Sequence, residues 1–161
     1  MSETTQSEKL TVEAQGDREI RAERVFNAPR EKVYDAMTDP ELIPKWWGRR
    51  QDTTTVEEMN VEVGGRYRFV CEGEDGKHGF SGVFRVLEKP ERVVQTFEWD
   101  GMPGYISVDS AELEDLGDGR TRVVATSTFH FSEERDGMLS SGMEIGMGET
   151  YDRLEELLAE L

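Results

Sequence analysis

The stretch from Ser132 to Leu161 reads SEERDGMLSSGMEIGMGETYDRLEELLAEL, and its apolar residues recur every three or four positions. With about 100° of rotation per residue, this spacing places them along one side of an α-helix. The members of the stripe are Leu139, Met143, Met147, Tyr151, Leu154, Leu157, Leu158 and Leu161. Ser132 is a suitable N-cap, and two glutamates follow it. We therefore predict one long amphipathic helix over 132–161, with Gly137 and Gly142 as the places for a bend.

Upstream of this helix, the apolar period changes to two, which is typical of strands. Segments such as Arg66–Cys71 alternate apolar and polar residues, and glycine-containing turns such as Glu74–Lys77 separate them. Strands joined by short turns run antiparallel. Two short helices are predicted near the start, over Pro29–Met37 and Glu41–Trp46. The order predicts an α+β fold with a curved antiparallel sheet of about six to seven strands and the long helix across its concave face.

A family resemblance covers nearly the whole chain. Its main motifs are DREIRAERVFNAPREKVYDAMTDPELIPKWWG at 17–48, GGRYRF at 64–69, GVFRV at 82–86, PERVV at 90–94, TFEW at 96–99 and ETYDRL at 149–154. In these motifs the chain resembles the START-like (SRPBCC) superfamily, and within it the family named after activators of the heat-shock-protein-90 ATPase, homologue 1-like. The resemblance implies a single helix-grip domain over residues 10–161. Residues 1–9 are polar, and we predict a disordered N-terminal tail there.

The resemblance also implies a hydrophobic cavity between the sheet and the last helix. Apolar clefts of this kind are typical of small-molecule sites. The predicted ligand-binding residues are Trp46, Trp47, Tyr67, Phe69, Phe80, Phe84, Phe97, Trp99, Phe129, Met143, Met147 and Tyr151. At positions 143 and 147 the family often has large aromatics, so methionine, which is flexible, predicts a differently shaped cavity. The leading hypothesis is a protein that binds a small hydrophobic or amphipathic ligand, in a role that the sequence does not identify.

Catalytic chemistry has one weak candidate, Asp109, which shares a strand face with Ala111 and Leu113. A carboxylate inside an apolar cavity has a raised pKa and can exchange protons near neutral pH. A register shift of one residue would instead turn it to solvent. A polyketide cyclase- or dehydratase-like enzyme is therefore an alternative, although the residues favour a binding protein. We find no nucleophile elbow, phosphate loop or metal-binding motif, and we predict no cofactor and no metal.

A dense cluster of tryptophan and arginine, Trp46-Trp47-Gly48-Arg49-Arg50, follows the second short helix. Tryptophan and arginine are enriched at protein-binding hot spots. One tryptophan exposed here would favour a second alternative, a chaperone-associated stress-response partner, which the family name implies. The other interpretation is that both tryptophans close one end of the cavity.

The composition excludes several partners. Asp and Glu number 35 against 19 Lys and Arg, which gives a formal charge of −16. Nucleic acids and anionic membrane surfaces bind proteins through cationic side chains, so neither is an expected partner. No run of about 18 apolar residues is present to span a membrane. We predict an acidic, cytoplasmic domain whose ligand is apolar or neutral, with Arg49 and Arg50 as the basic cluster near the cavity mouth.

Overall fold

The computed structural model describes residues 9–161. The strands and helices follow the chain as β1 Thr11–Gln15, β2 Glu19–Phe26, α1 Arg30–Thr38, α2 Ile43–Trp46, β3 Thr53–Met59, β4 Arg66–Gly73, β5 Gly76–Glu88, β6 Arg92–Trp99, β7 Ser107–Asp115, β8 Thr121–Thr128, α3 Ser132–Ser140 and α4 Met143–Glu160. Of the predicted disordered tail over residues 1–9, all but Lys9 lies outside the described residues. The two short helices after β2 agree with the prediction to within two residues at each end.

One antiparallel sheet of eight strands, in the order β1-β2-β8-β7-β6-β5-β4-β3, forms the centre of the domain. This confirms the α+β class, with slightly more strands than the six to seven predicted. The extra strand arises where Gly16 adopts a left-handed backbone (φ +57°) and β1 folds back on β2, pairing Thr11 with Glu23. Most residues of β1 are exposed, so this edge strand lacks the apolar alternation by which a strand is recognised.

A long C-terminal helix is confirmed as α4, but its predicted continuation back to Ser132 is wrong. Gly142 has a φ of +88° and is the N-cap of α4, so the chain breaks there into α3 and α4. Only glycine adopts this left-handed conformation without steric cost. The predicted cap at Ser132 is also wrong, because Phe131 occupies the N-cap position of α3 without a side-chain hydrogen bond.

The hydrophobic core lies under the C-terminal half of α4. Leu154 and Leu158 are buried there against Phe26 and Val123 of the sheet and Val33 of α1. Residues 143–150, at the N-terminal end of α4, are exposed or only half-buried. The helix is therefore fixed to the sheet at one end, and the interior is less completely filled at the other.

Candidate functional site

The region between the sheet and the N-terminal end of α4, together with the preceding α3, is the less completely buried part of the interior, and we call it the cleft. Met143 and Met147 on the inner side of α4 are half-buried. A Cβ placed at Gly146 or Gly148 would meet no neighbouring element within 4 Å. Glycine is therefore not present here to allow close helix–sheet packing, although it costs about 1 kcal/mol relative to alanine inside a helix. Gly146 and Gly148 therefore do not mark a close contact between α4 and another element.

The opposite wall of the cleft is the inner face of β6, β7 and β8. Asp109 in β7 is paired with Gln95 in β6 and with Ser127 in β8, so the three side chains form a row on one face. All three are half-buried, whereas Leu113 and Val123 on the same face are fully buried near the core. The polar row therefore belongs to the cleft and not to the core.

At the far end of the cleft lies a small enclosed space, which we call the aromatic cavity. It has a volume of about 20 Å³, room for about one water molecule. Its walls are Phe97, Trp99, Met102, Tyr105, Ser107, Phe129, Glu134 and Met138. Three of these, Phe97, Trp99 and Phe129, belong to the predicted ligand-binding set.

Other members of the predicted set form an aromatic row that leads to the aromatic cavity. The ring of Trp47 packs edge-on against Phe69 and Phe80, with centroid distances of 5.1 and 5.0 Å. Phe80 in turn stacks on Phe97 at 5.6 Å. The structure thus brings together Trp47, which directly follows α2, and residues of β4, β5 and β6 on one side of the cleft.

Besides Phe69 of the aromatic row, four other predicted residues are buried in the core. Trp46 donates from Nε1 to the carbonyl of Ala36 at 2.9 Å, and Tyr67 donates from its hydroxyl to the carbonyl of Thr96 at 2.5 Å. Phe84 and Tyr151 are core residues too. These side chains belong to the packed core and not to the surface of the cleft.

Asp109 is the most unusual polar group of the cleft. Ser107 donates a 2.8 Å hydrogen bond to its Oδ1, and the Ser127 hydroxyl also bonds to it. Neither the ion pairs nor the hydrogen bonds of residues 9–161 give this carboxylate a cation. Burial raises its pKa to about 6, and the two hydroxyls oppose that rise. The predicted register, with Asp109 on the face of Ala111 and Leu113, is confirmed.

The charge of this carboxylate affects the pKa of two tyrosines. Burial raises the pKa of Tyr151 to about 12, and the nearby charge of Asp109 acts in the same direction. Burial likewise raises the pKa of Tyr67, with a further contribution from Asp109. The carboxylate therefore lies within electrostatic range of one side chain on β4 and one on α4.

The buried cation nearest to this region is already paired. Arg24 on β2 reaches α4, where its Nη1 donates to Asp152 Oδ1 at 2.6 Å. Its guanidinium also lies over the ring of Phe26, 5.2 Å from the centroid. Its Nε has no hydrogen-bond partner in the part of the chain that the structure describes.

Neither tryptophan of the Trp-Arg cluster is an exposed side chain, because Trp46 is buried and Trp47 is half-buried. Arg49 pairs with Asp52 at 3.0 Å and with Asp75 at 2.9 Å, and Arg50 pairs with Glu156 of α4. The interpretation in which both tryptophans close one end of the fold agrees with this geometry. The two arginines connect elements through ion pairs with acidic side chains.

The sequence prediction missed five of the eight residues that line the aromatic cavity. Met102 and Tyr105 lie in the loop between β6 and β7, and Glu134 and Met138 lie on α3. The single helix that we predicted over 132–161 placed Leu139, and not Glu134 or Met138, on its apolar side. The aromatic Tyr105 directly after the Gly-Met-Pro-Gly loop is the signal that could have indicated a wall residue.

A second, open depression of about 410 Å³ lies on the other face of the sheet. Its charged residues are largely paired with one another: Arg68 contacts Asp100 at 2.7 Å and Glu57 at 3.1 Å. Because these charges neutralise each other, the depression offers little to recognise a charged ligand. Among residues 9–161, no group of three or more His, Cys, Asp or Glu side chains is placed to hold a metal ion. Within the same range, no helix is long and apolar enough to cross a membrane.

An eight-stranded antiparallel sheet with a long C-terminal helix packed against it is the helix-grip fold of the START-like superfamily. The family model of "Activator of Hsp90 ATPase homolog 1-like protein" matches residues 27–159. The chain belongs to this family, as its motifs predicted.

Solved structures agree with this assignment. A protein from Rhodobacter sphaeroides is 26% identical, with a TM-score of 0.87 over 95% of this chain and 99% of its own. A protein from Arthrobacter aurescens is 25% identical, with a TM-score of 0.83 over 94% and 92% of the two chains. The AHSA1 protein of Silicibacter pomeroyi, at 21% identity and a TM-score of 0.71 over 88% and 97%, shares the fold. No curated protein matches the sequence.

Proposed function

We propose that the protein binds a small hydrophobic or amphipathic ligand in the cleft between the sheet and α4. The observation that carries the proposal is the incomplete burial of the inner face, where the polar row Gln95, Asp109 and Ser127 stays half-buried. Met143 and Met147 of α4 are half-buried too. Aromatic walls with a few convergent polar groups are the usual composition of a small-molecule site.

Ligand entry requires the cleft to widen, because the aromatic cavity alone has room for about one water molecule. The break at Gly142 supports such a movement. It divides the cover of the cleft into α3 and α4, and only the C-terminal half of α4 is fixed in the core. A small rotation of α3 about this glycine would open the far end of the cleft without disturbing Leu154 or Leu158.

Native mass spectrometry of freshly purified protein tests the proposal, because it detects a bound small molecule and the assembly state together. In parallel, the neutral fluorophore N-phenyl-1-naphthylamine is titrated into the protein. We expect a saturable rise in fluorescence with one site per chain. Absence of both a co-purified molecule and saturable probe binding would overturn the proposal.

A second candidate function, proton-transfer catalysis of the cyclase or dehydratase type, is favoured by Asp109. A general acid or base works best when its pKa lies near the operating pH, and burial raises the pKa of this carboxyl to about 6. The test is turnover of a candidate polyketide substrate by the wild type and by Asp109→Asn. Equal turnover by the two proteins would remove Asp109 from any such role.

The third candidate, a chaperone-associated partner, is supported by the family description alone. The pairing of Arg49 and Arg50 with acidic neighbours leaves the Trp-Arg cluster without free cations for a partner. A pull-down with the cognate heat-shock protein at micromolar concentration tests this candidate, and no retained protein would contradict it. The cytoplasmic location stays a prediction from the sequence.

A further inference from the structure

Glu134, in the first turn of α3, has an unsatisfied oxygen at the aromatic cavity. Its Oε1 is sealed from solvent and has no hydrogen-bond partner within residues 9–161. Buried polar atoms in folded proteins nearly always have a partner, because an unsatisfied one carries a desolvation cost. The side chain also lines the aromatic cavity, so a donor that enters this space comes close to the Glu134 carboxylate.

A second acceptor faces the same space. Ser107 is buried, and its hydroxyl donates its one hydrogen to Asp109 Oδ1 at 2.8 Å. A hydroxyl has a single donor and two acceptor lone pairs, so Ser107 Oγ is left with acceptor capacity alone. The polar groups at the aromatic cavity are therefore hydrogen-bond acceptors, and a ligand that binds there must donate hydrogen bonds. One of these acceptors, Ser107 Oγ, is itself hydrogen-bonded to the Asp109 carboxylate.

The remaining walls favour a positive charge. Phe97, Trp99, Tyr105 and Phe129 surround the aromatic cavity, and aromatic faces attract cations. The formal charge of −16 adds a long-range attraction for cations and repels anions.

The nearby arginines bind other groups and not the Glu134 carboxylate. Arg135, the neighbour of Glu134, turns to β1 and β2 and donates to the carbonyls of Gln15, Gly16 and Glu19. Arg24 is paired with Asp152. A cation that pairs with the Glu134 carboxylate at the aromatic cavity would therefore come from a ligand.

We propose that the aromatic cavity binds the primary ammonium group of an amphipathic amine, with Glu134 and Ser107 as its acceptors. An ammonium group has nearly the size of a water molecule and carries three donors, which fits a space of about 20 Å³ better than a trimethylated head. The apolar part of the ligand extends along the cleft. The inference rests on the proposed function and specifies its ligand class, in place of the neutral ligand expected from the sequence.

Three probes with one common tail test this site: octylamine, 1-octanol and octanoate, each titrated calorimetrically at pH 7.5. We expect the amine to bind about tenfold or more tightly than the alcohol, because hydrogen bonds to charged groups are the stronger ones, and octanoate to bind most weakly. Glu134→Gln is expected to reduce amine affinity to that of the alcohol and to leave the alcohol unchanged. The matched control is Glu133→Gln, which removes the same charge from an exposed neighbour and leaves amine binding unchanged.

Tyr105→Leu provides an independent variant, since this half-exposed loop residue tolerates substitution and contributes an aromatic wall. We expect it to weaken the amine more than the alcohol. Equal affinity for amine and alcohol, or an amine affinity that Glu134→Gln leaves unchanged, would overturn the ammonium site. If N-phenyl-1-naphthylamine binds while the three octyl probes are not distinguished, the ammonium site fails and the proposed function stands. If none of the probes binds and no small molecule co-purifies, both fail.

Discussion

Ser107 donates a 2.8 Å hydrogen bond to Asp109, two residues along the same face of β7. One of these side chains lines the aromatic cavity and the other lies at the centre of the cleft. The hydrogen bond therefore joins the two parts of the candidate site into one polar row on an otherwise apolar wall. Its acceptor is a half-buried carboxylate that pairs with no cation among residues 9–161, which makes the site sensitive to pH.

Asp109→Asn is expected to stabilise the protein, and more at pH 8 than at pH 5. Burial raises the pKa of Asp109 from 3.8 to about 6, so the ionised form is disfavoured in the folded state. The penalty is absent below pH 3.8, grows as the unfolded state ionises, and is complete above pH 6, where it reaches about 3 kcal/mol. Urea unfolding should show a gain about 1 kcal/mol larger at pH 8 than at pH 5.

Glu112→Gln is the matched control for that variant, because Glu112 lies on the same strand but is exposed. Its effect on the free energy of unfolding should be small at both pH values. A gain from Asp109→Asn that is the same at pH 5 and pH 8 would contradict the burial of the carboxylate.

Gly142→Ala should destabilise the protein by about 1–2 kcal/mol, because residue 142 has a φ of +88° and an L-residue is strained there. Gly137→Ala within α3 serves as the comparison. A Cβ at Gly137 meets nothing within 4 Å, and alanine is the better helix former by about 1 kcal/mol, so this change should stabilise. Thermal unfolding measures both. If Gly142→Ala proved as stable as the wild type, α3 and α4 would not be separated by a left-handed residue.

Asp152→Asn should cost more stability than Arg24→Met. Removing the carboxylate leaves a buried guanidinium without its partner, whereas removing the arginine leaves Asp152 mostly exposed to water. Methionine also removes the unsatisfied Nε of Arg24. We expect a loss of about 3 kcal/mol for Asp152→Asn and a loss below 1 kcal/mol for Arg24→Met in chemical unfolding. The reverse order would show that the guanidinium is solvated in the folded protein.

Cys71 should be inert in the folded protein. It is buried beside Thr54, and burial raises the pKa of its thiol, so little thiolate is present at neutral pH. A colorimetric disulfide reagent should react with it only after addition of denaturant. Rapid reaction in native buffer would mean that β4 opens readily near Cys71.

The sequence predicted the parts of this fold whose side chains show a clear period. The alternation of Tyr67, Phe69 and Cys71 identified β4, and the spacing of Tyr151, Leu154 and Leu158 identified α4, because burial on one face imposes these periods. It did not predict the break at Gly142, since a glycine near the margin of an apolar stripe fits a bent helix and two helices equally well.

The candidate site was predicted only in part, for a related reason. Phe97, Trp99 and Phe129 lie on or beside regular strands, so their direction follows from the strand period. Tyr105 and Glu134 reach the aromatic cavity from a loop and from a helix whose rotation depends on the break. Their positions are set by tertiary packing, which a local pattern does not contain.

The most direct test of the account is binding of N-phenyl-1-naphthylamine to a pair of variants on α4. Met147→Trp adds bulk to the half-buried inner side of the helix, whereas Ile145→Trp adds the same bulk at a side chain that is 80% exposed. If the cleft is the ligand site, Met147→Trp should weaken binding at least tenfold, and Ile145→Trp should bind as the wild type does. Unchanged binding by a folded Met147→Trp protein would contradict the account, because the probe would then occupy some other part of the molecule.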